Sequence, residues 1–200
     1  MHFSVIREDL LKVLRKVSGV VDKKNIQQPI LSNILLRAKD DMLTVFATDT
    51  SVEQISASNV AKINNGGEIT VPFRKLNDIC RALDENNDVN MKLKGEKLQV
   101  LSGKSKFSLS TLPAEHFPTI NVKEGVLKFA IDKKELKTLM ERTSFSMADQ
   151  DVRYFLNGML FEVRESKLYA VAADGHRLAM SYVPIDISEN KSIRVIVPRK

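Results

Sequence analysis

In the stretch VAADGHRLAM a carboxylate, a glycine, an imidazole and a guanidinium stand side by side at Asp174, Gly175, His176 and Arg177. A carboxylate beside an imidazole can move protons, and a neighbouring guanidinium can hold an anion. A small hydrolase using Asp174 and His176 would still need a nucleophile or a metal. The other histidines are His2, at the chain start, and His116, in a linker segment. The chain has no HxH, HExxH or CxxC spacing, no G-x-S-x-G elbow and no G-x-x-x-x-G-K-[ST] phosphate loop. The same four residues also make a tight turn, in which Asp accepts local N–H groups and Gly tolerates positive φ. On that reading they rim a partner-binding pocket for a peptide, with Leu156, Val171 and Leu178 as apolar walls.

The elements that must position these residues occur twice. FSVIREDLLKVLRKVS begins at Phe3 and FAIDKKELKTLMERTS at Phe129. Each reads as a short strand followed by a helix with a helical apolar stripe: Leu10, Leu14 and Val17 in the first, Leu136, Leu139 and Met140 in the second. SNILLRAKDDMLTVFATDTS from Ser32 and LNGMLFEVRESKLYAVAADGH from Leu156 both read as strand, polar turn, strand, then a turn carrying Asp. Asp49 and Asp174 lie 125 residues apart, and VPFRK at Val71 returns as VPRK at Val197. These ordered landmarks mark two copies of one unit. Because the first copy bends at Asp49-Thr50-Ser51 without Gly, His or Arg, the turn itself does not need them.

After VPFRK the first copy continues into a helix near Arg74 to Leu83 and three alternating strands, VNMKLK, KLQVLS and KFSLSTL, with Gly95 and Gly103 at the turns. Each unit is therefore expected to be α+β, two helices packed on antiparallel strands. The first spans residues 1–120. The second, 126–200, holds about 75 residues where the first uses about 125, so it is expected to have exposed edges and an incomplete core.

Apolar residues make up 43% of the 200, enough for a buried core, and 31 Lys and Arg against 25 Asp and Glu leave a net charge of +6. That excess points toward a polyanionic partner, nucleic acid before a membrane surface. The single cysteine, Cys80, cannot form an internal disulfide and suits a reducing, cytoplasmic setting, where it is expected to be buried on a helix beside Ile79 and Leu83. The opening MHFSVIRED does not have the pattern of a secretory leader, and no run approaches the roughly 20 apolar residues of a membrane helix.

PILSNILL, TVPFRKLNDICRAL, GKSKFSLSTLPAEHFP, FSMADQDVRYFLNGMLFE and ADGHRLA followed by IVPRK together resemble the bacterial DNA polymerase III beta subunit family, the replication sliding clamps. The resemblance covers essentially the whole chain. It implies a DNA-clamp fold of three such units per subunit, two subunits closing a ring around duplex DNA as a homodimer; a third unit would be absent here. It implies no cofactor, no metal and no catalytic residue. Its partners would be duplex DNA, the polymerase III alpha subunit, the delta subunit of the clamp loader, and other polymerases and repair proteins bearing clamp-binding motifs.

Residue by residue, the resemblance implies a peptide pocket at Leu156, Gly175, His176, Arg177 and Leu178, with Ala173 and Asp174 beside them. DNA contacts would come from Gln150, Arg153, Tyr154, Phe155, Arg199 and Lys200. Phe155 stands where relatives carry a second tyrosine, keeping the stacking face and losing a hydroxyl. In the first unit VDKKNIQQP runs one residue longer than in relatives, so Lys23, Lys24 and Asn25 compete for one basic contact. The subunit interface would use KSKFSLS, through Lys104, Lys106, Phe107 and Leu109, together with Lys75. The alternation of Phe107 and Leu109 with Lys106 and Ser108 independently suits an edge strand; an ordinary meander strand guarded by lysines fits the same pattern. Cations on the helix faces, Arg7, Lys12, Arg15, Lys16, Arg74, Lys75, Arg81, Lys133, Lys134, Lys137 and Arg142, are further candidates to meet phosphates. A basic nucleic-acid-binding protein that forms no ring accounts for the charge equally well.

Overall fold

Strand β1 (His2–Ile6) runs directly into helix α1 (Arg7–Val17), whose Leu10, Leu14 and Val17 are fully buried, as their spacing requires. In place of a side-chain cap, the Arg7 N–H donates to the Asn87 carbonyl at 3.0 Å. The computed structural model describes residues 1–21, 28–59, 62–120, 127–187 and 192–199. It divides into two units, Met1–Asn121 and Val122–Lys200.

The first unit continues with β2 (Asn33–Lys39), β3 (Met42–Thr48), β4 (Glu53–Asn59), β5 (Lys62–Asn65), β6 (Gly67–Pro72), α2 (Phe73–Ala82), β7 (Asp88–Lys94), β8 (Lys97–Ser102) and β9 (Ser105–Ser110). Two antiparallel sheets result, in the orders β4-β3-β2-β6 and β5-β1-β7-β8-β9. One face of each sheet and the apolar stripes of both helices share a core that includes Phe3, Leu14, Leu36, Val45, Leu76, Cys80, Met91 and Leu98. Cys80 is fully buried, and burial pushes its thiol pKa up to about 12, so it packs as an apolar side chain. Strands β4 and β5 escaped the sequence reading. Their polar compositions, EQISASN and KINN, carry little apolar alternation because both lie at sheet edges.

In the second unit α3 (Lys133–Glu141) is capped by Asp132, whose carboxylate accepts the Lys134 and Glu135 N–H groups at 2.7 and 3.3 Å. Strands β10 (Gly158–Arg164), β11 (Lys167–Ala173), β12 (Leu178–Pro184) and β13 (Ile193–Pro198) follow, in the antiparallel order β12-β11-β10-β13. That order repeats β4-β3-β2-β6, and the register repeats with it. Thr48 faces Glu53 as Ala173 faces Leu178, and Asn33 faces Pro72 as Gly158 faces Pro198. Helix α1 packs on β4 as α3 packs on β12.

Two expectations fail here. The stretch Leu127–Asp132 is not a strand. Its counterpart β1 is held by ladders to β5 and β7, and among the described residues the second unit has no strand matching either. Met140 is 41% exposed although its counterpart Leu14 is buried, because α1 packs against α2 and no described element plays that part beside α3. Met140 instead lines an apolar cleft of about 540 Å³ with Leu127, Phe129, Leu136, Phe161 and Val195.

Leu14→Ala should lower unfolding stability by about 2–5 kcal/mol, the usual cost of a cavity under a fully buried leucine. Met140→Ala should change it by under about 1 kcal/mol. Urea denaturation of the two variants checks the difference.

Candidate functional site

The β11–β12 connection is built around one carboxylate. Asp174 Oδ1 accepts the His176 and Arg177 N–H groups at 2.9 and 3.0 Å, and Oδ2 accepts Arg177 Nε at 2.8 Å. The β3–β4 connection repeats this: Asp49 Oδ1 accepts the Ser51 and Val52 N–H groups at 3.0 and 2.9 Å. In both turns the Asp N–H donates across to a carbonyl three residues on, at 3.2 Å. Thr50 and Gly175 both take positive φ, +75° and +89°.

Glycine is favoured at 175 for a second reason. A Cβ there would sit 2.8 and 3.0 Å from the two terminal nitrogens of Arg153. That guanidinium lies against Gly175 and is clasped by Asp151, to whose carboxylate Nε and Nη2 donate at 3.0 and 2.8 Å. Nη2 also reaches the Asp174 carbonyl at 3.5 Å. The hydrogen bond from Arg153 holds the Asp151 carboxyl at a pKa of about 2, and Asp151 in turn raises that of Arg153. The Arg177 guanidinium lies 5.8 Å from the Phe145 ring centroid.

Asp174 is thus committed to its own turn. The His176 and Arg177 N–H groups, in that order, hold its carboxyl at about 2, far below what a general base at neutral pH requires. Its carboxylate accepts from the His176 and Arg177 backbone and from the Arg177 side chain, while the imidazole makes no hydrogen bond to it. The acid–base reading of Asp174 and His176 is therefore corrected: the pair is a turn with an exposed imidazole beside it. Among the described residues no cluster of His, Cys, Asp and Glu could hold a metal.

Around this turn the face of β12 opposite α3 is open. Leu178 and Met180 are 65% and 59% exposed and stand opposite Ala173 and Val171 of β11. In the first unit the corresponding sheet face is covered over β2 and β3, with Leu35 and Phe46 buried against Phe117, Ile30 and Ala114, while Ile55 of β4, the counterpart of Met180, is 58% exposed as well. The expected apolar walls Val171 and Leu178 therefore share one side of the sheet. Leu156 is half-buried in a 3-10 turn at Tyr154–Asn157.

Gln150, Arg153, Tyr154 and Phe155 fall on one loop, Met147–Asn157. The Ala148 N–H closes it onto the Leu156 carbonyl at 3.1 Å, and the Asn157 side chain bonds both the N–H and the carbonyl of Asp151 at 2.9 and 2.8 Å. Tyr154 and Phe155 are 83% and 49% exposed and meet edge to face at 5.9 Å. Gln150 is exposed with φ +57°. Arg199 reaches this loop from the end of β13, donating from Nη1 to the Met147 and Ala148 carbonyls at 3.4 and 3.1 Å. Lys23, Lys24, Asn25 and Lys200 lie outside the described residues. Sequence reasoning did not single out Asp151 and Asn157, which organise the loop; their only signal was a cluster of turn-forming polar residues in DQDVRYFLNG.

Strand β9 is an edge strand with Lys106 exposed and Phe107 half-buried, Lys104 is exposed in the turn before it, and Leu109 belongs to the core of its own unit. Lys75 is exposed on α2. Of the helix cations, Arg7 is spoken for, since its guanidinium donates to the Cys80 and Arg81 carbonyls at 2.9 and 3.1 Å. Arg15, Lys16, Arg81, Lys133 and Lys134 are exposed.

Gly175→Ala should displace Arg153 and cost on the order of 1 kcal/mol, from strained φ and the contact together; loss of the Arg153–Asp151 signature in side-chain NMR spectra would report it. Asp174 has a folded-state pKa below the ordinary carboxylate value of about 3.9. Its turn should therefore hold fully above about pH 4 and loosen as pH falls through about 2, followed by the His176 and Arg177 amide signals.

The model for the N-terminal domain of the DNA polymerase III beta subunit matches residues 1–121, and that for its central domain matches residues 130–200. The beta sliding clamp of Pseudomonas aeruginosa is 46% identical over 200 residues, which are 100% of this chain and 54% of that protein. The crystal structure of the DNA polymerase III subunit beta from the same organism aligns with a TM-score of 0.93 at 46% identity, covering 100% of this chain and 54% of that one. The pol III beta of Caulobacter crescentus aligns with a TM-score of 0.92 at 38% identity, with the same coverage. The chain spans about half the length of the curated relatives it matches. It belongs to the DNA polymerase III beta subunit family.

Proposed function

We propose that this chain works as the N-terminal and central part of a DNA sliding clamp, a non-catalytic processivity subunit that encircles duplex DNA and tethers a replicative polymerase. The observation that carries this reading is that family similarity runs the length of the chain, while the Asp174 carboxylate is taken up in holding a turn. Clamps must hold DNA and let it slide. Contacts to regularly spaced phosphates do both, because they carry no sequence information. The exposed Arg15, Lys16, Arg81, Lys133 and Lys134 have the long flexible stems this requires. Gln150, Tyr154 and Phe155 offer an amide and two aromatic faces to the nucleic acid.

The pocket would form where the Asp174–Arg177 turn meets the open apolar face at Leu178, and would take short linear motifs of the polymerase alpha subunit, the delta subunit of the clamp loader and other clamp-binding proteins. Two subunits would close the ring through the free edge of β9 with Lys104, Lys106 and Phe107, and Lys75 nearby in the interface. Enclosure then supplies retention, and tethering raises the polymerase concentration at the primer end.

This 200-residue chain should bind labelled duplex DNA weakly, with an affinity that falls steeply as salt rises, and should not stay on nicked circular DNA through gel filtration. Retention on the circle that vanished on linearisation would show that this chain closes a ring unaided. Salt-insensitive binding, or none, would sink the DNA reading. In the full-length parent, His176→Ala should weaken capture of a clamp-binding peptide and leave DNA binding unchanged.

A further inference from the structure

Resting on that reading, we propose that Arg199 is a positioning residue for the loop that meets DNA and does not itself neutralise a phosphate. One residue holds both ends of the loop. The Arg199 N–H donates to the Asn157 carbonyl at 3.1 Å, and Nη1 donates to the Met147 and Ala148 carbonyls. Met147 and Ala148 are buried, so the carbonyls they present are fixed points, and the exposed Arg199 side chain folds back to them through Nη1 at the base of the loop. From there the Ala148 N–H passes the constraint to the Leu156 carbonyl, next to the two aromatics. Within the loop, Asn157 fixes Asp151, and Asp151 fixes Arg153.

A guanidinium held to two carbonyls meets groups of partial negative charge that do not move. Turning Nη1 away to a phosphate would strand both carbonyls, and a phosphate that slides past offers no lasting replacement. Arg199 therefore acts through Gln150, Tyr154 and Phe155: its removal lets the loop open and spreads those side chains over many orientations.

Salt dependence separates the two roles. Each phosphate neutralised contributes about 0.9 to the slope of log affinity against log salt concentration. Arg199→Ala and Arg199→Gln should each lower affinity for a labelled duplex about tenfold with the slope unchanged. In the DNA-free protein the amide signals of Met147 to Asn157 should move in both variants, and those of the first unit should stay in place. Gln serves as the second variant should Ala fail to fold: it keeps part of the side chain's bulk, but its shorter side chain cannot hold both carbonyls as Arg199 Nη1 does. A slope reduced by about one, or loop signals that stay where they were, overturns the proposal. Should the unaltered chain bind no DNA, the proposed function fails on that result alone, and the loop signals still decide whether Arg199 positions the loop.

Discussion

A carboxylate oxygen shared between two backbone N–H groups sets the register on which both units depend. Asp49 ties β3 to β4 this way and Asp174 ties β11 to β12. Side chains in a strand alternate between faces, so a slip of one residue would send the buried set to the solvent side. With the turns fixed, Leu43, Val45 and Ala47 enter one core, and Leu168, Ala170 and Ala172 enter the other. The same register puts Leu178 and Met180 on the opposite face of β12, open to solvent.

Duplication leaves the scaffold alike and lets one turn diverge. Thr50 carries a side chain at positive φ, so backbone conformation alone does not demand glycine at 175. The Arg153 guanidinium lying across that position favours it further, because a Cβ would have to push the guanidinium aside. In the second unit a plain turn thereby became a junction, where the loop bearing Tyr154 and Phe155 touches the turn bearing His176.

Charge is committed very unevenly. Arg7, Arg153, Arg177 and Arg199 each donate to carbonyls or carboxylates of the chain itself, three of them from exposed positions, whereas Lys16, Lys133 and Lys134 stand exposed on helices. The net charge of +6 shows a basic protein and says little about which residues meet a polyanion. Guanidinium groups suit the internal role because a planar fork can satisfy several fixed oxygens, while ammonium groups on flexible stems remain in water.

Much of the scaffold was legible from residue order alone. Leu10, Leu14 and Val17 at helical spacing, the Gly-marked hairpins at Gly95 and Gly103, and the 125-residue interval between Asp49 and Asp174 each follow from local periodicity or turn chemistry, which a linear chain displays directly. The polar edge strands β4 and β5 were hidden, because an edge takes its ladder from a neighbour and needs no apolar alternation of its own. Whether Leu127–Asp132 forms a strand, and whether Met140 is covered, depended on partners elsewhere in the chain. At the site, residue types suggested proton chemistry at Asp174 and His176; only three dimensions brought the Arg177 side chain and two N–H groups onto that carboxylate and tied Arg153 to Asp151 and Arg199 to the Met147 and Ala148 carbonyls. Sequence specifies which groups can donate and accept, whereas the pairing among them is settled by distances that exist only once the chain has folded.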